Sequence, residues 1–339
     1  MRKISLFLLF LPLFSIAQVE SAKRTVEQLC SPAFHGRGYV NSGDSIAAEF
    51  IANGFKAAGC RFFETGPFQP FQFQVNAFPG NMSLSIDGKV LNPGTDFVVD
   101  PGSCSGKTSN RKFIEITVND LFNPKNIKNK LADANMQDGG RTKNLVGLLF
   151  NESNLKGDTL KKAKQLAKEY NSTFAVIEVV NDKFTWSVEQ SQTNFPFFQV
   201  QQSAFDASIG TWKVDYDVLA RLDQHTARNV IAYVPAKKKS KKYLVYTAHY
   251  DHLGRMGQQA YFPGGNDNAS GTAMLLELAA YYAKNPTDIN IVFIAFAGEE
   301  VGLLGSKYYT ENPVFPLEKI AFLFNVDIMG SGEDGVTIV

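Results

Sequence analysis

One pattern occurs three times in the C-terminal third of the chain: YLVYTAHYDH at residues 243–252, INIVFIAFAGEE at 289–300 and KIAFLFNVDIMG at 319–330. Each stretch begins with an apolar, β-branched run typical of a buried strand and ends in polar side chains. Helical patterns at about 268–284 and 303–309 separate the three stretches. The alternation predicts an α/β fold in which a mainly parallel sheet has helices on both faces.

The polar side chains at the ends of these stretches are candidate functional residues: His249, Asp251, Glu299, Glu300 and Asp327. Asp267, in GGNDNASG at the predicted start of a helix, joins them. The carboxyl ends of parallel strands lie along one edge of a sheet, where such folds bind ligands. Several carboxylates gathered there repel one another unless a cation compensates them. The set therefore predicts a metal site, and its nitrogen and carboxylate donors favour zinc over manganese or cobalt.

Two pairs of closely spaced residues suggest how such a site would work. Asp251 stands two residues from His249 on the same face of an extended chain, where its carboxylate would accept the imidazole N–H and fix the tautomer. Adjacent carboxylates such as Glu299 and Glu300 point in different directions, so one can bind a metal while the other serves as a base.

The rest of the chain predicts further elements around this core. The pattern GDSIAAEFIANGFKAAG at 43–59 predicts a helix that ends at Gly59, and residues 61–80, rich in Phe, Pro and Gln, are predicted to be extended. A strand, a helix and a strand at 144–150, 158–170 and 173–180 form a βαβ-like unit. The basic run KKKSKK, between predicted strands at 229–234 and 243–248, is predicted to be a solvated hairpin tip.

The N-terminus predicts export. Arg2 and Lys3 precede an apolar run at 4–14 and a small-residue site ending at Ala17, which is the layout of a signal peptide cleaved after residue 17. The run is shorter than the ~20 residues of a spanning helix. We therefore expect a secreted or periplasmic protein with no membrane span after cleavage.

Composition excludes other classes of protein. Lys and Arg total 34 against 33 acids, so no overall field favours nucleic acid as a partner. Three cysteines allow at most one internal disulfide, and no CxxC pair indicates a structural zinc site.

Four segments together resemble the zinc aminopeptidases of the aminopeptidase Y and bacterial leucyl aminopeptidase type: HYDH, GGNDNASGTA, GEEVGLLGS and NVDIMG. The segment HGRG at 35–38 resembles the same family more weakly. The resemblance implies a signal peptide at 1–17, an N-terminal helical part of the peptidase domain at 18–65 and a zinc peptidase domain at 210–339. Residues 66–209 would be an inserted, smaller α/β or β-rich domain similar to the protease-associated domain.

The resemblance also implies roles for the candidate residues. His249 and Asp327 would bind one zinc, Asp267 would bridge two, and Glu300 would bind the other. Glu299 would take a proton from a metal-bridged water that attacks the scissile carbonyl and return it to the leaving amine. Substrates would be peptides with a free N-terminus.

One ligand of the family pattern, a His on a later loop, has no counterpart in this chain, because none of the four histidines follows His252. The sequence also stops at Val339 inside the strand-like GVTIV. It is therefore expected to be a C-terminally incomplete version of a longer protein, with an incomplete second zinc site and weak or no activity. A carboxypeptidase, a single-zinc glutaminyl cyclase of the same fold, and an inactive remnant or binding module are the alternatives.

Overall fold

The computed structural model describes residues 13–137, 146–206 and 208–330. Most of the predicted signal peptide and the strand-like GVTIV lie outside these residues. Within them the α-helices are α1 (Leu13–Leu29), α2 (Gly43–Ala58), α3 (Val118–Leu121), α4 (Pro124–Gln137), α5 (Gly157–Tyr170), α6 (Gly271–Lys284) and α7 (Leu304–Glu311). The strands are β1 (Phe68–Ala77), β2 (Met82–Ile86), β3 (Lys89–Leu91), β4 (Phe97–Val99), β5 (Gly106–Ile116), β6 (Gly147–Asn151), β7 (Val176–Val180), β8 (Phe197–Gln201), β9 (Thr211–Val218), β10 (Arg221–Val234), β11 (Tyr243–His249), β12 (Gly254–Met256), β13 (Ala260–Phe262), β14 (Asn290–Phe296) and β15 (Ile320–Asn325).

A five-stranded sheet in the order β1-β10-β14-β11-β15 carries the candidate site. Strands β14, β11 and β15 are parallel neighbours, and β10 runs antiparallel to β14 and to β1. The three stretches with the shared pattern are therefore adjacent parallel strands, and their carboxyl ends meet at one edge as predicted.

Helices cover both faces of this sheet, which confirms the predicted α/β architecture. On one face α1, α2 and α6 pack through fully buried side chains such as Leu29, Phe55 and Leu275. On the other face Tyr309 of α7 and the following Phe315 pack against Val245 and Val292. Apolar burial on both sides explains the continuous apolar runs of β11 and β14.

A second sheet has eight strands in the order β3-β2-β9-β5-β6-β7-β8-β4, with β5 to β8 parallel. One of its faces packs a core around Trp212 and Phe113, and the other packs against α4 and α5. The predicted βαβ unit is present here as β6, α5 and β7. The strands of this sheet lie between β1 and β10 in the sequence, so we refer to the unit that they form as the insert.

The boundaries of the insert differ from the predicted 66–209. Strand β1 pairs with β10 over ten residues, from Phe68 opposite Val230 to Ala77 opposite Arg221, so it belongs to the first sheet. Strand β9, which begins at Thr211, belongs to the second. The insert therefore begins after β1 and ends before β10. The apolar alternation of β1 identifies a strand but contains no information about its partner.

The basic run KKKSKK does not close a hairpin, contrary to the prediction. Strand β14 lies between β10 and β11 in the sheet, so the chain from 235 to 242 crosses over one strand position. Its lysines are exposed, as the prediction of a solvated segment requires.

The two sheets are joined by packed aromatic side chains. The β12–β13 hairpin follows the HYDH segment, and its Met256 is buried in the core of the second sheet. Phe262 of the same hairpin stacks on Trp186 of the insert, with ring centroids 4.6 Å apart.

Cys30, Cys60 and Cys104 are free thiols. No helix among the described residues combines the length and apolar character needed to cross a bilayer.

Candidate metal centre

His249, Asp267 and Asp327 form one group of candidate ligands. His249 ends β11, and Asp327 follows the adjacent parallel β15 by two residues. The His249 Nε2 atom lies 3.1 Å from Asp267 Oδ1 and 3.6 Å from Asp327 Oδ1. One ligand atom from each residue lies within 4.8 Å of the other two, which is the spacing that a single bound ion requires.

A second group contains His252, Asp267 and Glu300, whose ligand atoms also lie within 4.8 Å of one another. His252 Nδ1 is 2.6 Å from Glu300 Oε1. Asp267 belongs to both groups, as the bridging role predicted for it requires. The sequence places His252 beside the other candidates but assigns it no role. His252 stands three residues after His249 and lies in a different set of ligands.

Asp251 is fully buried and acts on the loop that carries the two glutamates. Its carboxylate accepts the backbone N–H groups of Glu299 at 3.3 Å and Glu300 at 3.2 Å, and also the hydroxyl of Tyr39. The predicted contact with His249 is longer: Nδ1 lies 3.8 Å from Asp251 Oδ1 and 3.2 Å from the Asp251 carbonyl oxygen. In this structure the carboxylate therefore positions residues 299–300, and the carbonyl faces the imidazole.

Glu299 lies beside the first group and is half-buried, with 36% of its side chain exposed. Its Oε2 is 4.0 Å from His249 Nδ1. Burial raises the pKa of Glu299, and the carboxylates of Asp251 and Glu300 add to that effect against the charge of His249. A carboxylate with a raised pKa and access to solvent is suited to accept a proton in a reaction.

The charges of the centre call for a cation. Burial alone would lower the pKa of His249, but hydrogen bonds and charges of neighbouring carboxylates raise it to about 11. The hydrogen bond from His249 lowers the pKa of Asp267. The two ligand groups hold three carboxylates and two imidazoles, with the carboxylates of Asp251 and Glu299 beside them. This excess of negative charge, with nitrogen and oxygen donors and no thiolate among these residues, fits zinc.

Asn268 ties the loop of Asp267 to that of Asp327. Its buried side chain donates from Nδ2 to the carbonyl of Val326 at 3.1 Å and accepts at Oδ1 from the N–H of Ile328 at 3.3 Å. These bonds bracket Asp327, so Asn268 holds the two carboxylates of the first group together. The sequence offers only its position next to Asp267 as a signal for this role.

A cavity of about 440 Å³ opens beside the centre. His249, Glu299 and Asp327 line its polar end, and the side chains of β15 and α7, such as Leu323 and Tyr309, line its apolar wall. A peptide segment therefore has room next to Glu299.

Residues 229–338, which include all the candidate ligands, match Peptidase family M28. Aminopeptidase YwaD of Bacillus subtilis (strain 168) is 37% identical over 115 residues, 33% of this chain and 24% of that enzyme. A probable zinc metalloprotease of Pyrenophora teres f. teres is 32% identical over 148 residues, 40% of this chain and 32% of that protein. The chain thus spans only a quarter to a third of the length of these curated relatives.

Solved structures extend the likeness over both sheets. BSAP, a zinc aminopeptidase from Bacillus subtilis, matches 93% of this chain and 70% of its own with a TM-score of 0.60 at 21% identity. An aminopeptidase from Aneurinibacillus sp. strain AM-1 matches 92% of this chain and 71% of its own with a TM-score of 0.54 at 22% identity. At these identities the matches show a shared fold.

Proposed function

We propose that this chain, with its match to Peptidase family M28, is a secreted zinc aminopeptidase that hydrolyses the N-terminal peptide bond of peptides. The observation that carries the proposal is the pair of three-residue ligand groups that share Asp267, with Glu299 beside them at the carboxyl edge of three parallel strands. The names of the aminopeptidases that the chain resembles support the choice of substrate.

Two zinc ions fit the donors of this chain. His249, Asp267 and Asp327 would hold one, and His252, Asp267 and Glu300 the other. Bound zinc would supply a Lewis acid that polarises the scissile carbonyl and makes water more acidic. The shared carboxylate of Asp267 would set the distance between the two ions.

Glu299 is the proton carrier of the proposed reaction. Its carboxylate accepts a proton from the attacking water and later delivers that proton to the amine as the peptide C–N bond breaks. Asp251 keeps Glu299 in place through the backbone N–H that it accepts, so the base and the ligand Glu300 move as one rigid segment.

The test is release of amine from aminoacyl arylamides by the complete protein, with the C-terminal part that is expected beyond Val339, loaded with zinc. Glu299→Gln is expected to lower kcat by about 10²- to 10⁴-fold, because the amide cannot accept the proton, while zinc binding persists. Glu311→Gln, an exposed position at the end of α7, is the matched control and should leave kcat unchanged.

The proposal is contradicted if the complete protein, loaded with zinc, releases no amine or if Glu299→Gln keeps full activity. The alternatives give different products: a carboxypeptidase shortens N-acetylated peptides from the other end, and a glutaminyl cyclase converts an N-terminal glutamine without cleaving a peptide bond.

A further inference from the structure

Residues 35–39, HGRGY, pass directly beneath the loops of the metal centre; we refer to them as the strap. The backbone at His35 and Arg37 has φ of 48° and 50°, a region that side chains with a Cβ rarely adopt. The fit beneath the loops is close, since a Cβ on Gly38 would lie 2.3 Å from Gly254 Cα. Packing against the loop after His252 therefore fixes the strap in this conformation.

Arg37 is fully buried. Its guanidinium donates to backbone carbonyl oxygens of several segments and also contacts the thiol of Cys30. On one side its Nε donates to Tyr250 at 2.8 Å, between His249 and Asp251. On the other side Nη1 donates to Pro263 at 2.7 Å, and Nη2 donates to Gly264 at 2.8 Å and Asp267 at 3.4 Å. The remaining Nη1 donor bonds to Leu29 of α1 at 3.2 Å. All five donors of the rigid guanidinium fork are used.

These bonds link two loops that carry ligands of the same ion. His249 ends β11, whereas Asp267 lies in the irregular loop before α6, and no strand pairing sets their distance. In addition, the Arg37 carbonyl accepts the N–H of His252 at 3.2 Å. One side chain and its own peptide group therefore touch the segments that carry His249, His252 and Asp267.

Tyr39 extends the strap to the third loop. Its buried hydroxyl donates to the carboxylate of Asp251, which accepts the backbone N–H groups of Glu299 and Glu300. The strap thus reaches every ligand segment except the one that carries Asp327, and Asn268 bonds that segment to the loop of Asp267.

We propose that Arg37 is a positioning residue for the metal centre: its guanidinium sets the separation of the His249 and Asp267 loops, so that their donors are spaced for zinc in the metal-free protein. The inference rests on the proposed function. Arg37 touches neither the candidate ligand atoms nor the cavity, so its effect is exerted through the backbone.

The test measures zinc affinity of the full chain by competition with a chromophoric chelator. Arg37→Met is expected to weaken zinc binding by about 10- to 100-fold, the usual cost of removing a group that orients ligands. Arg37→Lys keeps the charge but replaces the planar fork with a single ammonium, which cannot bridge both loops. It should also bind zinc more weakly and shift the visible absorption bands of the Co²⁺-substituted protein.

Arg228→Met is the matched control, because the Arg228 side chain pins α2 to β10 through Glu49 and the Ser45 carbonyl. The one bond from Arg228 to the His249 loop is accepted by its backbone carbonyl from the Tyr250 hydroxyl, and the substitution keeps that carbonyl. It should lower the melting temperature of the metal-free protein and leave zinc affinity within about twofold. Folded Arg37→Met or Arg37→Lys with wild-type zinc affinity and an unchanged Co²⁺ spectrum would overturn the inference. If Arg37→Met does not fold, the zinc affinity and the Co²⁺ spectrum of Arg37→Lys test the inference. Absence of zinc binding by the wild-type chain would instead refute the proposed function.

Discussion

His252 shows how the spacing of two residues decides which partners their side chains meet. It stands three residues after His249 and contacts Glu300, whereas His249 lies beside Asp327. An extended chain carries residues three apart to opposite faces, and the bond from the His252 N–H to the Arg37 carbonyl holds this segment in place. The second ligand group thereby gains a nitrogen donor from the same segment as the first.

His252→Ala is expected to lower the zinc content of the purified protein from about two ions per chain to about one, because the second group would keep only two carboxylates. Metal analysis after dialysis against micromolar zinc measures the stoichiometry. His225→Ala removes a histidine that pairs with Asp44 away from the ligands and should keep both ions. Two ions retained by His252→Ala would show that another group completes the second set.

The sequence predicts the residues at the strand ends better than those that support them. His249, Asp267, Glu300 and Asp327 are gathered because parallel strands bring their carboxyl ends to one edge, a consequence of the pattern alone. Arg37 and Tyr39 lie more than 200 residues from the segments they hold. Nothing local in HGRGY indicates burial under those loops, so only the tertiary structure assigns them.

The insert contains a buried pair of glutamates, Glu152 and Glu178, with Lys164 beside it. Glu152 follows β6, Glu178 lies in β7, and Lys164 of α5 places its Nζ 3.1 Å from Glu152 Oε1. Only 8% of the Glu152 side chain is exposed. Burial, followed by the hydrogen bond and charge of Glu178, raises the pKa of Glu152 from 4.5 to about 8, although Lys164 acts in the opposite direction.

This raised pKa predicts that the insert loses stability as pH rises. The folded state holds the proton on Glu152 up to about pH 8, whereas the unfolded chain releases it near 4.5, so the contribution of the neutral carboxyl is lost across that interval. Glu152→Gln stays neutral and should gain about 1 to 2 kcal/mol over the wild type between pH 5 and pH 8. Urea unfolding at both pH values measures the difference.

Glu169→Gln, on the exposed face of α5, is the control and should show no such gain. An equal stability difference between Glu152→Gln and the wild type at both pH values would mean that Glu152 ionises normally in the folded protein.

Helices and strands follow from the sequence more reliably than their partners do. The pattern at 43–59 predicts α2 because buried residues such as Ile51 and Phe55 recur at helical spacing and Gly59 ends the helix at positive φ. The pairing of β1 with β10, and the position of β14 between β10 and β11, depend on contacts across the whole insert. A period of two residues identifies a strand but does not encode its neighbour.

The two sheets form a continuous structure around the proposed active site. Trp186 of the insert stacks on Phe262, and Gln190 donates from Nε2 to the carbonyl of Val301 at 3.0 Å. Val301 directly follows Glu300, so the insert contacts the loop that carries Glu299, the proposed base.

The predicted export of the chain can be tested. We expect the mature protein to begin at Gln18, because the predicted signal peptide ends at Ala17. This bond lies within α1, and the part of α1 that remains keeps Val26 and Leu29 in the core. Mass spectrometry of the protein from culture medium or periplasm reads the first residue. Retention in the cytoplasm with residues 1–17 attached would contradict the expectation.

The contacts of the strap can form only late in the synthesis of the chain. Arg37 leaves the ribosome 230 residues before Asp267, one of the groups that its side chain binds. At about 5 to 20 residues per second, that delay lasts roughly 10 to 50 s, during which the insert emerges completely. Until then the guanidinium lacks its partners in residues 250–267. The proposed metal centre therefore assembles only after the C-terminal third of the chain has emerged.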